Sequence, residues 1–150
     1  NKVIYQYEGG TGIKIGFTKA AGRTLVASSE RNGMALICVV MNAPDWFQDT
    51  YKLMDYAYGQ YETVKVAPGQ QPLKVVKIEG GGRDFVRIGL KGDILCPVRK
   101  GGDSTISLEY DLTGSRTAPI NRWQEAGQLK IYVDGNYLFS KPLYYFEDVE

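Results

Sequence analysis

The sequence predicts an α+β fold, in which three antiparallel strands and one helix are followed by a small all-β, sandwich-like domain. Residues 1–60 hold three short apolar runs and a single segment of helical periodicity. From about Tyr61 onwards, apolar and polar residues alternate and glycine-rich breakers recur. With 150 residues, of which 43% are hydrophobic and 23% charged, the chain has the size and composition of a globular protein. We therefore predict two domains, 1–60 and 61–150.

Three strands are predicted in the first domain, at Ile13–Phe17, Thr24–Ser29 and Met34–Met41. The pair Asn32-Gly33 between two apolar runs is a strong signal for a hairpin turn. The third run has no polar alternation, so we expect that strand to be covered on both faces.

A helix is predicted to follow Pro44. Asp45 stands at the N-cap and Gln48 three residues later, which is the spacing of a capping box. Apolar residues then recur at helical spacing, at Phe47, Tyr51, Met54 and Tyr58. Gly59 supplies the expected stop.

The second domain is predicted to consist of short strands. Alternation is clearest at residues 86–90, 106–110 and 129–133. Breakers separate these runs at Gly80-Gly81-Gly82, Lys100-Gly101-Gly102, Thr113-Gly114 and Asp134-Gly135. Short alternating strands with such turns indicate a small antiparallel sandwich.

Composition excludes several kinds of site. There is no histidine, so a Ser-His-Asp triad, a Cys-His dyad and any His-ligated metal are ruled out, and we predict no metal and no cofactor. With 18 Lys and Arg against 17 Asp and Glu, the net charge is +1, and no nucleic-acid partner is predicted. Cys38 and Cys96 lie in apolar runs, where we expect buried free thiols rather than a disulfide.

One segment, from Glu8 to Met34, carries a pattern that points to chemistry: EGGTGIKIGFTKAAGRTLVASSERNGM. It resembles the Lys-Thr-Gly strand and the strands after it in serine-type D-alanyl-D-alanine carboxypeptidases, the low-molecular-weight penicillin-binding proteins of the S11 peptidase family. Residues 61–150 resemble the C-terminal β-domain of that family more weakly. The resemblance implies the end of a penicillin-binding or β-lactamase-like catalytic domain, followed by that β-domain.

The resemblance also implies roles for four neighbouring residues. A substrate peptide would pair with the exposed edge of the strand that carries them. Lys14 would be catalytic, meeting the terminal carboxylate of the substrate and assisting proton transfer. Gly16 would let the substrate approach closely, and the backbone N–H of Phe17 would donate to the oxyanion. Ile15 completes the substrate-binding set.

Two positions depart from the family pattern. Ile15 stands where the family normally has Thr or Ser, whose hydroxyl binds the substrate carboxylate. Trp46 stands where relatives often have an arginine. Both changes point to weaker or altered substrate binding.

No serine of this chain fits the nucleophile motif, because neither Ser28 nor Ser29 is followed by a lysine three residues later. The motif would lie ahead of Asn1, so the chain alone is predicted to be inactive. The longer enzyme would trim the terminal D-alanine from peptidoglycan stem peptides through a serine acyl-enzyme, and it would bind β-lactams. We expect it outside the cytoplasm, secreted or attached to the outer face of the bacterial cytoplasmic membrane.

Two other interpretations stay open. The chain could be a non-catalytic binding or scaffolding relative in which Ile15 marks lost activity. A β-lactamase shares the Lys-Thr-Gly strand, but the β-rich residues 61–150 argue against it. Because residues 1–60 supply cover for only one side of their sheet, we also expect self-association or pairing with an N-terminal part.

Overall fold

Two helices and ten strands make up the structure, a computed structural model that describes residues 1–150. The elements are α1 Val3–Gln6, β1 Gly10–Thr18, β2 Gly22–Arg31, β3 Met34–Val40, α2 Trp46–Gln60, β4 Tyr61–Ala67, β5 Pro72–Lys77, β6 Phe85–Gly89, β7 Ile94–Arg99, β8 Ile106–Asp111, β9 Glu125–Val133 and β10 Asn136–Tyr145. The chain divides into two units, residues 1–64 with 97–102, and residues 65–96 with 103–150. The boundary between residues 60 and 61 stays a prediction.

The first unit contains an antiparallel sheet with the strand order β1-β2-β3. Arg31 pairs with Met34, which leaves Asn32 and Gly33 as a two-residue loop with φ angles of 50° and 75°. Positive φ at both loop residues is what a type I′ hairpin requires, and asparagine and glycine tolerate it best. The predicted hairpin is confirmed.

The core of the first unit lies between this sheet and α2. Leu25 and Ala27 of β2, Val40 of β3 and Met54 of α2 are buried together. On the opposite face of β3 the apolar side chains are exposed, with 72% of Ile37 accessible. The expectation that this strand is covered on both faces is therefore wrong for this chain, because a single helix packs on a single face.

Helix α2 begins where it was predicted, with Asp45 at the N-cap, but its capping and its end differ from the prediction. The Asp45 side chain makes no capping hydrogen bond, because its φ of −101° and ψ of 39° lie outside the extended region that an N-cap normally adopts. Its carbonyl accepts the N–H of Asp49 at 3.0 Å, so the helix starts without a capping box. Gly59 lies inside the helix and does not end it, and the last helical residue is Gln60.

Lys100 replaces a glycine stop at the C-terminal end of α2. Its ammonium donates to the carbonyl of Tyr58 at 2.7 Å, and its backbone N–H donates to the carbonyl of Gln60 at 2.8 Å. The last carbonyls of a helix have no partners within the helix, and a lysine there also suits the negative end of the helix dipole. The chain can therefore pass directly from α2 into β4.

The second unit is built on a five-stranded antiparallel sheet with the order β5-β6-β10-β9-β8. Strands β9 and β10 are joined through Asp134 and Gly135, whose φ angles of 50° and 77° form a second two-residue turn. Alternate residues of the strands fill its core, among them Ile88, Leu129 and Leu143. Strands β4 and β7 pair separately. The predicted α+β class, with a β-rich second domain, is confirmed.

Two smaller observations complete the fold. The two cysteines do not form a disulfide with each other; Cys96 is buried, as predicted, whereas Cys38 is only half-buried. No sequence pattern indicated the four-residue helix α1, which packs beside β1. Neither helix has the length and apolar character needed to cross a membrane.

Candidate functional site

Strand β1 carries all four predicted site residues and forms one edge of the first sheet. It pairs with β2 along one side only, through a register that runs from Gly10 opposite Ser29 to Thr18 opposite Gly22. In an edge strand, alternate N–H and C=O groups point away from the only partner. A row of backbone donors and acceptors is therefore available for another extended chain.

The structure separates the four residues into two pairs. Lys14 lies opposite Val26 and Gly16 opposite Thr24. Because paired residues share a face and successive residues alternate, these two lie on the face away from α2. Ile15 and Phe17 lie on the α2 side, and both are exposed. A ligand beside the strand would thus meet Lys14 from one face and Ile15 from the other.

Gly16 has no structural need to be glycine. A Cβ atom built there would meet only the Cβ of Thr24, at 4.0 Å, and its backbone is not in the left-handed region. Gly10 is different, because its Cβ would lie 2.1 Å from the carbonyl oxygen of Val3. The space beside the Cα atom of Gly16 is open to solvent. The absence of a side chain there therefore lets a ligand approach the strand and is not needed for packing.

Arg23 is a cation beside the site that the sequence alone marks only as a surface residue. It lies opposite Phe17 across β1 and β2, and its guanidinium stands 5.9 Å from the centre of the Trp46 ring. A hydrogen bond of 2.8 Å to the carbonyl of Pro44 holds it in place. The short turn at residues 19–21 fixes this register, and counting back from that turn would have placed Arg23 beside the site. The position that relatives often fill with arginine thus holds a tryptophan with a different arginine stacked on it.

Neither the serines nor the cysteines of the chain are activated as nucleophiles. The six serines are Ser28, Ser29, Ser104, Ser107, Ser115 and Ser140. Those with side-chain hydrogen bonds are partnered by threonine, tyrosine, methionine, glutamine or backbone groups, and never by a lysine or carboxylate. Burial raises the pKa of the Cys38 and Cys96 thiols, so both are poor nucleophiles at neutral pH.

Two protein-family models match the chain. Residues 61–150 match the C-terminal domain of penicillin-binding protein 5. Residues 1–45, which include β1, match D-alanyl-D-alanine carboxypeptidase. The first match covers more than half of the chain.

Individual relatives agree with the family models. The chain is 30% identical to the D-alanyl-D-alanine carboxypeptidase DacF of Bacillus subtilis, over all of this chain and 40% of that protein. The crystal structure of penicillin-binding protein 5 from Haemophilus influenzae is similar over 92% of this chain and 42% of that chain, with 29% identity and a TM-score of 0.72.

A third comparison bears on the fold alone. A peptidoglycan synthesis regulatory factor (PBP3) from Streptococcus pneumoniae matches 95% of this chain and 43% of that chain with a TM-score of 0.77, at 24% identity. The chain therefore spans about two fifths of the length of the proteins that it matches.

Proposed function

Because this chain belongs to the penicillin-binding protein 5 family of D-alanyl-D-alanine carboxypeptidases, of which it spans a C-terminal portion, we propose that it supplies the substrate-binding edge strand and the β-domain of an enzyme that removes the terminal D-alanine from peptidoglycan stem peptides. The observation that carries the proposal is the free edge of β1, with Lys14 exposed and Gly16 open to solvent, inside the segment that matches the carboxypeptidase family.

In this proposal the substrate peptide adds to β1 as a further strand. Backbone hydrogen bonds align it, and the space above Gly16 lets its main chain come close. The ammonium of Lys14 attracts the terminal carboxylate, and the backbone N–H of Phe17 faces the carbonyl oxygen of the bond to be cut.

The nucleophile comes from outside this chain. A serine hydroxyl attacks the carbonyl of the penultimate D-alanine, and its proton passes to the departing amine. The peptide C–N bond breaks, D-alanine leaves, and water then hydrolyses the ester. Covalent capture of β-lactams by the same serine follows from this scheme. We place the enzyme outside the cytoplasmic membrane, secreted or attached to its outer face, since peptidoglycan lies there.

The test compares two glycine substitutions in a longer protein that contains this chain. Gly16→Ala is expected to lower kcat/KM for release of D-alanine by about ten-fold or more, because the added methyl keeps the peptide from the strand. Gly59→Ala is the matched control, since a Cβ at either position meets no close neighbour within the protein. It is expected to leave kcat/KM unchanged and to stabilise α2 by about 0.5–1 kcal/mol. Equal activity of both variants would contradict the proposed peptide path.

A second test concerns the 150-residue chain alone. Fluorescent penicillin is expected not to label it, because acylation needs a serine with a neighbouring base. Intact mass spectrometry after incubation with the penicillin checks this expectation. A covalent adduct would show that one of the six serines is reactive.

A non-catalytic relative is the second candidate, and Ile15 favours it. The side chain of isoleucine has no hydrogen-bond donor for a carboxylate. If the longer protein binds a peptide ending in D-alanyl-D-alanine without cleaving it, this candidate replaces the first.

A further inference from the structure

Two cavities on the second unit share the lining residue Lys91, and we call the two together the groove. The first measures about 410 Å³ and is lined by Gln70, Lys91, Arg122, Trp123 and Phe146. The second measures about 320 Å³ and continues past Lys91 to Lys141 and Tyr144. Each volume falls within the range of about 300–1,000 Å³ that is typical of small-ligand sites. The two together suit an elongated ligand better than a compact one.

Aromatic rings form the walls of this groove. Trp123 and Phe146 pack against each other with their ring centres 5.1 Å apart. The ammonium of Lys91 lies 3.9 Å from the centre of the Tyr144 ring and 5.9 Å from that of Trp123. Cation–π contacts thus hold a positive charge between two rings, at the point where the cavities meet.

The cations of the groove have no acidic partners. Lys91, Arg122 and Lys141 form no ion pair, whereas two of the acids nearby are already paired with other cations. Glu147 binds two arginines, and Asp93 binds a lysine of β4. The carboxylate of Asp148 is not in an ion pair and accepts the backbone N–H of Arg122. Three unpaired cations against this one carboxylate leave the groove with a net positive charge.

Backbone strain is concentrated at the same place. Five residues other than glycine have positive φ angles, and three of them are asparagine or aspartate, which tolerate that conformation. The other two, Gln70 at 55° and Trp123 at 68°, both line the larger cavity. Residues 121–124 form a turn in which the N–H of Gln124 donates to the carbonyl of Asn121 at 3.0 Å. Trp123 occupies the third position of this turn, and glycine is the usual residue at that position when φ is positive. The surrounding structure keeps Gln70 and Trp123 in a strained backbone conformation, which indicates that their side chains have a function.

We propose that this groove binds a saccharide chain that carries carboxylate groups. The flat apolar face of a sugar ring stacks on an indole, and 37% of Trp123 is accessible, with the guanidinium of Arg122 5.2 Å from the centre of its ring. The unpaired ammonium and guanidinium groups recognise the carboxylates. Two cavities on either side of a shared lysine accept neighbouring sugar units. The proposal does not depend on the carboxypeptidase activity, because it uses none of the residues of β1.

Other anionic ligands fit the groove less well. A nucleic acid is bound through a long track of phosphate contacts, whereas the chain has a net charge of +1. A membrane surface favours side chains that project outward, whereas Tyr144 and Phe146 are half-buried in the cavity walls. Both serve as competing ligands in the test.

Titration calorimetry on the full 150-residue chain tests the proposal, with tetragalacturonic acid as the probe. Binding is expected to weaken with added salt, and chitotetraose, which is neutral, is expected to bind at least about ten-fold more weakly. Trp123→Gly is expected to abolish binding with an unchanged or higher Tm, because glycine suits the φ of that position. Lys91→Gln and Arg122→Gln are expected to weaken binding about ten-fold each with no change in Tm.

Lys74→Gln is the matched control. It removes the same charge from another cation–π pair, in which the ammonium lies 4.7 Å from the centre of the Tyr110 ring and outside both cavities. This variant is expected to bind like the original chain. The proposal is overturned if no variant of the groove weakens binding, if Lys74→Gln weakens it equally, or if oligodeoxythymidylate or phosphatidylglycerol vesicles bind more tightly than the acidic saccharide. If Trp123→Gly lowers the Tm, the decision rests on Lys91→Gln and Arg122→Gln.

Discussion

Lys14 and Ile15, neighbours on β1, present an ammonium on one face of the sheet edge and an exposed apolar side chain on the other. The pattern around Lys14 located the strand, and the structure places it at a sheet edge. A strand by itself places Lys14 and Ile15 on opposite faces, but that Ile15 lies on the side of α2 follows from its pairing with Leu25 of β2. Arg23 was missed because its place beside Phe17 depends on that same register. The sequence identified the residues of the site on β1. Which other residues lie near them could be known only from the pairing of the strands.

Ile15→Thr, made in a longer protein that contains this chain, is expected to speed acylation by a β-lactam. The new hydroxyl would hold the ligand carboxylate from the face opposite Lys14. A hydrogen bond to a charged group contributes about 1.5–3 kcal/mol, which corresponds to about ten-fold or more in rate. Stopped-flow measurement of acylation provides the test. Ile13→Thr is the control, because Ile13 is exposed on the same face of the same strand. A gain in both variants, or in neither, would show that the effect is not specific to the carboxylate position.

Turns and helix ends were predicted with different success. Asn32-Gly33 and Asp134-Gly135 formed hairpins because each dipeptide by itself tolerates the positive φ angles that the turn needs. The capping box at Asp45 did not form, because the backbone of Asp45 lies outside the extended region, and Gly59 did not stop α2, whose C-terminal end is bound by a residue distant in sequence. Lys100 satisfies the last carbonyls from forty residues further along the chain. Local rules therefore succeeded where the interaction is local.

The connection after β4 is expected to make the second unit sensitive to acid. Asp93 accepts the N–H of Gly69 at 2.8 Å and pairs with Lys65, and these two interactions lower the pKa of its carboxyl group. A lowered pKa in the folded state adds stability above the ordinary carboxyl pKa of about 4, and this stability is lost as the pH falls through the folded value. Asp93→Asn should therefore lower the Tm at pH 7, and the difference should shrink as the pH falls below about 4.

Calorimetry from neutral to acidic pH measures this effect. Asp103→Asn serves as the control, since Asp103 is exposed and forms no ion pair. A constant difference in Tm between Asp93→Asn and the original chain at every pH would refute the titration argument.

At the scale of the whole molecule, the sequence predicted the classes of element but not their order. The alternation of apolar residues identified strands in the second unit, yet nothing in it indicates that β10 lies between β6 and β9. Which strands become neighbours in a sheet depends on how all their faces pack together. Many strand orders are compatible with the same alternation of apolar and polar residues. The apolar run of β3 by itself predicted cover on both faces, whereas the count of available elements predicted cover on only one side of the sheet, which is what the structure shows.

That exposed face leads to an expectation about association. Ile37 and Val39 of β3, with Met41 directly after its end, form an exposed apolar stripe, and patches of this kind are uncommon on monomers. We propose that the 150-residue chain, when studied alone, self-associates through this stripe. Light scattering at low micromolar concentration should show species larger than a monomer.

Two matched substitutions test the location of that contact. Val39→Lys should restore the monomer by placing a charge in the stripe. Val75→Lys should have no effect, because Val75 is equally accessible, at 56% against 55%, but lies on β5 in the other sheet. A monomeric original chain would contradict the proposal.

The position of β10 has a consequence for the order in which the chain is made. Strands β5 and β6 begin to leave the ribosome more than fifty residues before β10, the strand that joins them to β9. Until residue 145 has emerged, β6 keeps one edge without its native partner, and β8 with β9 forms a separate hairpin. Unpaired strand edges recruit other chains. Nascent chains interrupted before Asn136 are therefore expected to depend on chaperones, whereas completion of only ten further residues closes the sheet.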